Sequence, residues 1–115
     1  MLRPSMTRDQ LKALWLHRAV AGRLVMAPEA VLARATANLE RLRVVHPVGM
    51  TAVWLQRWRD LFRRGVEEVL EKLTSLDVEA MELRQNSPFA GVLTEEDRRA
   101  VLTAFAAWWR AERVA

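Results

Sequence analysis

An all-α fold, a compact bundle of four to five helices with no sheet, is what this sequence predicts, and three observations predict it. Only four glycines and four prolines interrupt 115 residues. No segment alternates apolar and polar residues over the length of a strand. Two long stretches instead carry apolar side chains at 3.6-residue spacing, the pattern of a helix with one buried face. A chain of this length fits a single helical domain over residues 1–115, with residues 1–6 as a flexible N-terminus. Such a domain buries about two thirds of its unfolded surface. An apolar share of 51% beside 28% charged residues excludes wholesale disorder.

Each element has its own signals. Thr7 and Gln10 stand at capping-box spacing, so the first helix starts at Thr7 and runs to about Met26, with Gly22 a tolerated weak point. Pro28 suits the first position of a second helix that reaches about Val45. His46-Pro47-Val48-Gly49 is the clearest break, because proline disfavours helix at the residue before it. A third helix begins near Thr51 with a stripe of Trp54, Trp58, Leu61, Phe62, Gly65, Val69 and Leu73, and Gly65 loosens or bends it midway. Thr74-Ser75 lead into a short helix over roughly 77–84. Gln85 through Gly91 form a loop with strong turn chemistry. Thr94 caps the last helix, where Glu95, Glu96 and Asp97 complement the N-terminal dipole. The stripe of that helix is Val101, Leu102, Phe105, Trp108 and Trp109. The expected core is therefore Trp54, Trp58, Leu61, Phe62, Leu102, Phe105 and one of the two final tryptophans.

Charge is split along the chain. Residues 1–66 hold 12 Lys and Arg against 4 Asp and Glu, a balance of +8, whereas residues 67–115 hold 6 against 10, a balance of −4. Of the cationic residues 16 are Arg and 2 are Lys. Arginine presents a planar fork suited to carboxylates and phosphates, so the basic front implies an acidic partner. The chain has no cysteine, which excludes disulfides, thiolate metal sites and cysteine nucleophiles. No apolar run approaches the roughly 18 residues of a membrane span. Met1-Leu2-Arg3-Pro4-Ser5 lacks the apolar core of a signal peptide, so a cytoplasmic location and no membrane partner are expected.

Catalytic, cofactor and metal sites are not expected. His17 and His46 have no Asp, Glu or Cys nearby at metal-ligand spacing and read as half-exposed histidines on two helices. Arg41 through His46 matches an Arg-x4-His pattern seen in some helical ribonucleases, but Pro47 ends the helix at once. There is no glycine-rich phosphate loop and no Asp-x-Asp pair. Glu67 with Glu68, and Glu95 through Asp97, fit solvated helix faces.

Two surfaces remain for partners. Arg57, Arg59, Arg63 and Arg64 interleave with Trp54, Trp58 and Phe62, a mixture that can mark nucleic-acid contact. The aromatics share the apolar stripe and are expected to point inward. Asp60–Arg64, Arg63–Glu67 and Arg64–Glu68 stand at i,i+4, so a salt-bridged outer face competes with a partner surface. Arg18, Arg23, Arg34 and Arg41 are less fully paired and extend a basic surface if the first two helices pack side by side. The small glycine turn of a helix-turn-helix DNA reader is missing. Trp108 and Trp109 lie about 100° apart on a helix, which places one inside and one at an edge, where tryptophan serves as an interface anchor. Phe89, central in a polar turn, plugs the bundle end or anchors a partner.

The stretches Leu14-Trp15-Leu16-His17-Arg18-Ala19-Val20-Ala21, Ala33-Arg34-Ala35-Thr36-Ala37-Asn38-Leu39 and above all Glu82-Leu83-Arg84-Gln85-Asn86-Ser87-Pro88-Phe89-Ala90-Gly91-Val92-Leu93 carry a resemblance. They resemble a family of small bacterial proteins encoded beside AbiEii-type nucleotidyltransferase toxins, the antitoxins of the Men system. The likeness runs from Thr7 to Arg110 and lies in the wording of the sequence, not in a catalytic signature. It implies a non-enzymatic antitoxin without cofactor. The implied partner adds nucleotides to the acceptor end of transfer RNA, and this chain binds and silences it. Some antitoxins of such pairs carry DNA-binding domains or act as kinases; neither signature is present, which favours direct binding. The expected contacts are Arg57, Arg63 and Arg64, with Phe89 and Trp109 as hydrophobic anchors, and Arg57 and Arg64 are read as solvent-facing. The alternative is a helical nucleic-acid-binding protein that uses the arginine-rich N-terminal half. Homo-oligomerisation is left open by the sequence.

Overall fold

The computed structural model describes residues 5–114. They form six helices: α1 (Arg8–Met26), α2 (Pro28–Val45), α3 (Met50–Arg64), α4 (Val66–Thr74), α5 (Val78–Gln85) and α6 (Glu95–Val114). No strand occurs among the described residues. Of the expected flexible N-terminus, residues 1–4 lie outside the described residues.

The starts and stops follow from local chemistry. Gln10 N–H donates to Thr7 Oγ1 at 3.1 Å and Thr7 N–H to Gln10 Oε1 at 2.9 Å, completing the capping box of α1. Ala27 alone joins α1 to α2, and its N–H donates back to the Arg23 carbonyl at 2.9 Å. Pro28 then opens α2, where its missing N–H costs nothing. Asp77 caps α5 by accepting from Ala80 N–H at 2.7 Å, and Thr94 caps α6 by accepting from Asp97 N–H at 3.0 Å.

Six helices form where four to five are expected because the stretch from Thr51 to Leu73 is two helices. Gly65 has φ 119° and ψ 179°, a conformation open to glycine and rare for any other residue. It ends α3 with its N–H still on the Leu61 carbonyl and starts α4 in the same step. The apolar stripe survives the interruption: Trp58, Leu61, Val69 and Leu73 are all fully buried.

Helix α1 is the hub, packing against α2, α4, α5 and α6. The main core gathers Leu24, Leu39, Leu55, Trp58, Leu61 and Leu83 among others, with Trp54 and Phe62 half-buried against it. Trp58 is completely enclosed, and its indole N–H donates to the Leu83 carbonyl at 2.9 Å. Phe105 is buried too, but in a separate aromatic cluster where α6 meets α1. There it stands edge-on to Trp15 at 5.5 Å between ring centroids and stacks beside Trp109 at 6.2 Å. Leu102 is only half-buried, and so are both Trp108 and Trp109. The expectation of one inner and one outer tryptophan fails because α6 leans on a single helix, which shelters both from one side. The radius of gyration, 14.6 Å, exceeds the roughly 13 Å of an evenly rounded domain of this length, as an outlying helix requires.

A buried arginine holds the α4–α5 corner. Arg84, 3% exposed, donates through one terminal nitrogen to the carbonyls of Lys72 (3.0 Å) and Ser75 (2.7 Å), satisfying acceptors left open where α4 ends. Its Nε and other terminal nitrogen have no hydrogen-bond partner among the described residues, and burial pushes the guanidinium pKa down.

The break at Gly65 yields a stability prediction. A Cβ there meets no atom within 4 Å, so Gly65→Ala costs conformational strain alone. We expect a loss of about 1–3 kcal/mol in urea unfolding; an unchanged midpoint would mean that the α3–α4 break does not depend on this backbone conformation.

Candidate functional site

The loop between α5 and α6 is built into the bundle by three side chains. Asn38, 7% exposed on α2, donates its amide to the carbonyls of Pro88 (2.9 Å) and Ala90 (2.8 Å). Its Oδ1 accepts from Arg41 one turn on. His17, buried on α1, sits 2.6 Å from the Ala13 carbonyl through Nδ1 and 2.7 Å from Ser87 Oγ through Nε2. A carbonyl only accepts, so Nδ1 carries the proton and neutral Nε2 accepts from Ser87. Burial, opposed by the bond to Ala13 and aided by the nearby Arg84 charge, lowers the His17 pKa to about 4. Phe89 is the third anchor. It is 4% exposed, with its ring 5.2 Å from Trp58, 5.9 Å from Phe62 and 6.2 Å from His17.

The outer side of this loop borders three clefts. One of about 250 Å³ lies toward α1 and includes Leu16, Val20, Ser87, Ala90, Gly91 and Arg98 in its lining. A second of about 370 Å³ lies toward α2, with Arg41, Leu42, Val45, Ser87, Pro88 and Ala90. A third of about 160 Å³ has Arg23, Ala30, Val31, Arg34, Gly91 and Val92. Ser87 and Ala90 are common to the first two and Gly91 to the first and third, so they adjoin as one groove around the loop. No Asp or Glu lines any of them. Gly91 has φ 77°, and a Cβ on it would lie 2.6 Å from a terminal nitrogen of Arg34, so glycine here lets an arginine lie flat on the loop.

The residues expected to meet a partner are not brought together. Arg57 is not a free solvent-facing cation: it lies 3.3 Å from Glu79 Oε1, and Lys72 approaches the same carboxylate at 2.9 Å. The hydrogen bonds from Lys72 and then Arg57 hold the Glu79 carboxyl below its usual pKa. Arg63 and Arg64 are exposed at the end of α3. The expected pairs Asp60–Arg64, Arg63–Glu67 and Arg64–Glu68 do not form, since Gly65 breaks the i,i+4 register of the last two and Asp60 accepts from Gln56 instead. Phe89, buried in its own bundle, offers no anchor on the surface. Trp109 is half-buried, with the guanidinium carbons of Arg113 and Arg8 5.4 Å and 6.0 Å from its ring centroid.

Other expectations are revised as well. His17 is buried, not half-exposed, and His46 is exposed in the turn after α2, not on a helix. Arg41 and His46 line different clefts, so the Arg-x4-His spacing forms no joint site. Among the described residues no three His, Asp or Glu side chains group so as to hold a metal, and no helix is long and apolar enough to cross a membrane.

Asn38 and His17 carry the site, and both had a sequence signal: each is a polar residue in the buried register of its helix, Val31-Ala35-Asn38-Leu39 and Leu14-His17-Val20-Leu24. No protein-family model, curated protein or solved structure matches the chain.

Two outcomes follow. Phe89→Ser should lower stability by about 3–5 kcal/mol, because it removes a ring that joins Trp58, Phe62 and His17; a melting temperature close to the parent's would contradict the plug. The second concerns pH. The folded chain holds His17 at about 4 against an ordinary 6.5, so between those values the unfolded chain binds the extra proton. The stabilising term is fully present above pH 6.5 and is lost as pH falls through about 4. Its size is roughly 3 kcal/mol. His17→Gln should flatten this part of the pH–stability curve, and identical slopes for parent and variant would be inconsistent with a neutral buried His17.

Proposed function

We propose that this chain is an antitoxin that binds and neutralises a nucleotidyltransferase acting on transfer RNA. The observation that carries the reading is a set of arginines, Arg18, Arg23, Arg34, Arg63 and Arg64, exposed and without a carboxylate in salt-bridge reach among the described residues. The enzyme class offers acidic metal-binding residues in a cleft shaped for nucleic acid. Arginine forks on rigid helices suit such carboxylates, since charge-assisted bonds add directionality to attraction. The resemblance supports the same reading, and its strongest stretch, Glu82–Leu93, includes the loop held by His17 and Asn38.

The same arginines favour a second reading, a helical nucleic-acid-binding protein. Salt separates the two. Affinity for a polyanion falls steeply as counterions compete, whereas a mixed apolar and charged protein contact falls less.

The direct test is co-expression with a nucleotidyltransferase toxin encoded beside this chain. Growth should be restored and the two proteins should co-purify. Arg63→Glu/Arg64→Glu is a better surface probe than any variant of Arg57, because reversing Arg57 sets a carboxylate against Glu79 and confounds binding with stability. Continued toxicity in the presence of the folded parent chain, with no complex recovered, would refute the antitoxin reading.

A further inference from the structure

We infer that the groove around the Ser87–Gly91 loop is the seat of an acidic amphipathic helix of a partner protein. This rests on the proposed function only in taking the occupant to be protein. The floor is aliphatic, with Leu16, Val20, Leu42, Val45 and Pro88, of which Val45, at the end of α2, is 68% exposed. Arginines from three helices edge it: Arg23 on α1, Arg34 and Arg41 on α2, and Arg98 on α6. With no carboxylate in the lining, the cations at this edge are left for an incoming acid. Of these four only Arg98 meets a carboxylate, loosely, Glu95 at 3.9 Å, while Arg41 bonds the neutral amide of Asn38 and Arg34 rests on Gly91.

An apolar floor between cationic edges matches a helix that lays one apolar stripe into a groove with acidic residues on either side. It matches a nucleic acid less well. Single strands bind on aromatic platforms along a continuous cationic track, and the two rings that line the groove, Phe89 and His17, are buried at 4% and 7% exposure. The floor is also rigid before anything binds. Asn38 and His17 hold the loop through buried hydrogen bonds, so little ordering entropy is lost on docking.

The test uses the full chain and three probes: a synthetic amphipathic Leu/Glu helix, oligouridylate and the nucleotidyltransferase. Amide shifts on adding the peptide should map to residues 87–91 and the facing turns of α1 and α2. Arg34→Glu/Arg41→Glu should weaken peptide and enzyme binding by about tenfold or more, while Arg63→Glu/Arg64→Glu changes peptide binding by less than about twofold. Arg41 also bonds Asn38, so Ala90→Glu, an exposed residue shared by two clefts, is the second variant and should act alike without lowering the melting temperature. Peptide shifts elsewhere, or affinities unchanged in both variants, would overturn the groove. Tighter binding of oligouridylate at the same residues would replace the polypeptide by nucleic acid. Self-association lost in Ala90→Glu would assign the groove to a second copy of the chain. Peptide bound at the groove without any binding of the enzyme would uphold the groove and remove the antitoxin reading. Enzyme bound equally by parent and both variants would do the reverse.

Discussion

One amide holds the protein's central joint. Asn38 donates to two carbonyls of a loop fifty residues further along the chain, at 2.9 and 2.8 Å, from a position shut off from water. Loop backbone has no helical neighbour to satisfy it, and a buried carbonyl without a partner costs about 1–3 kcal/mol. Asn38 removes that cost at Pro88 and also holds the Ala90 carbonyl at the edge of the core, and His17 secures the same loop from α1 through Ser87. With the loop so held, Phe89 enters the space between Trp58 and Phe62 and closes the main core. The outer side of the loop then becomes a fixed surface, and the groove beside it inherits that rigidity.

A second corner of the bundle is organised by charge. Arg57, Lys72, Asp77 and Glu79 form a small network where α3, α4 and α5 meet, and Arg84 satisfies the end of α4 from inside. Asp77 and Glu79 are drawn into this corner, and Glu95, Glu96 and Asp97 stand at the start of α6. On α1 and α2, Arg18, Arg23 and Arg34 are exposed and meet no carboxylate among the described residues, whereas Arg43 pairs with Glu40. Arg57 of the basic half is thus paired at the corner, while Arg23 and Arg34 beside the groove meet no carboxylate among the described residues.

Helix α6 stands apart from both. It leans on α1 through Trp15, Phe105, Trp108 and Trp109, a cluster separate from the main core. A helix attached along one side opens at lower free energy than one enclosed in the core. Arg98, near the start of α6, nonetheless reaches the groove, so the position of this helix bears on how the groove is edged.

Much of the fold was readable from residues alone. The capping box at Thr7, Pro28 at the start of α2, the break at His46–Gly49 and the Thr94 cap act over three or four positions, and local chemistry decides them. The all-α class follows from apolar spacing, which is likewise local. Gly65 shows the limit: the glycine was visible, but whether it bends a helix or divides it depends on the φ that the surrounding packing imposes. The site was less readable. Asn38 and His17 differ from ordinary surface residues only by lying in a buried register, and their partners are 50 and 70 positions away. Arg57, Arg63 and Arg64 look alike along the chain, yet Glu79, reached across another helix, engages one of them. Pairing of that kind is a property of three-dimensional neighbours, so only the tertiary structure decided which arginines remained available.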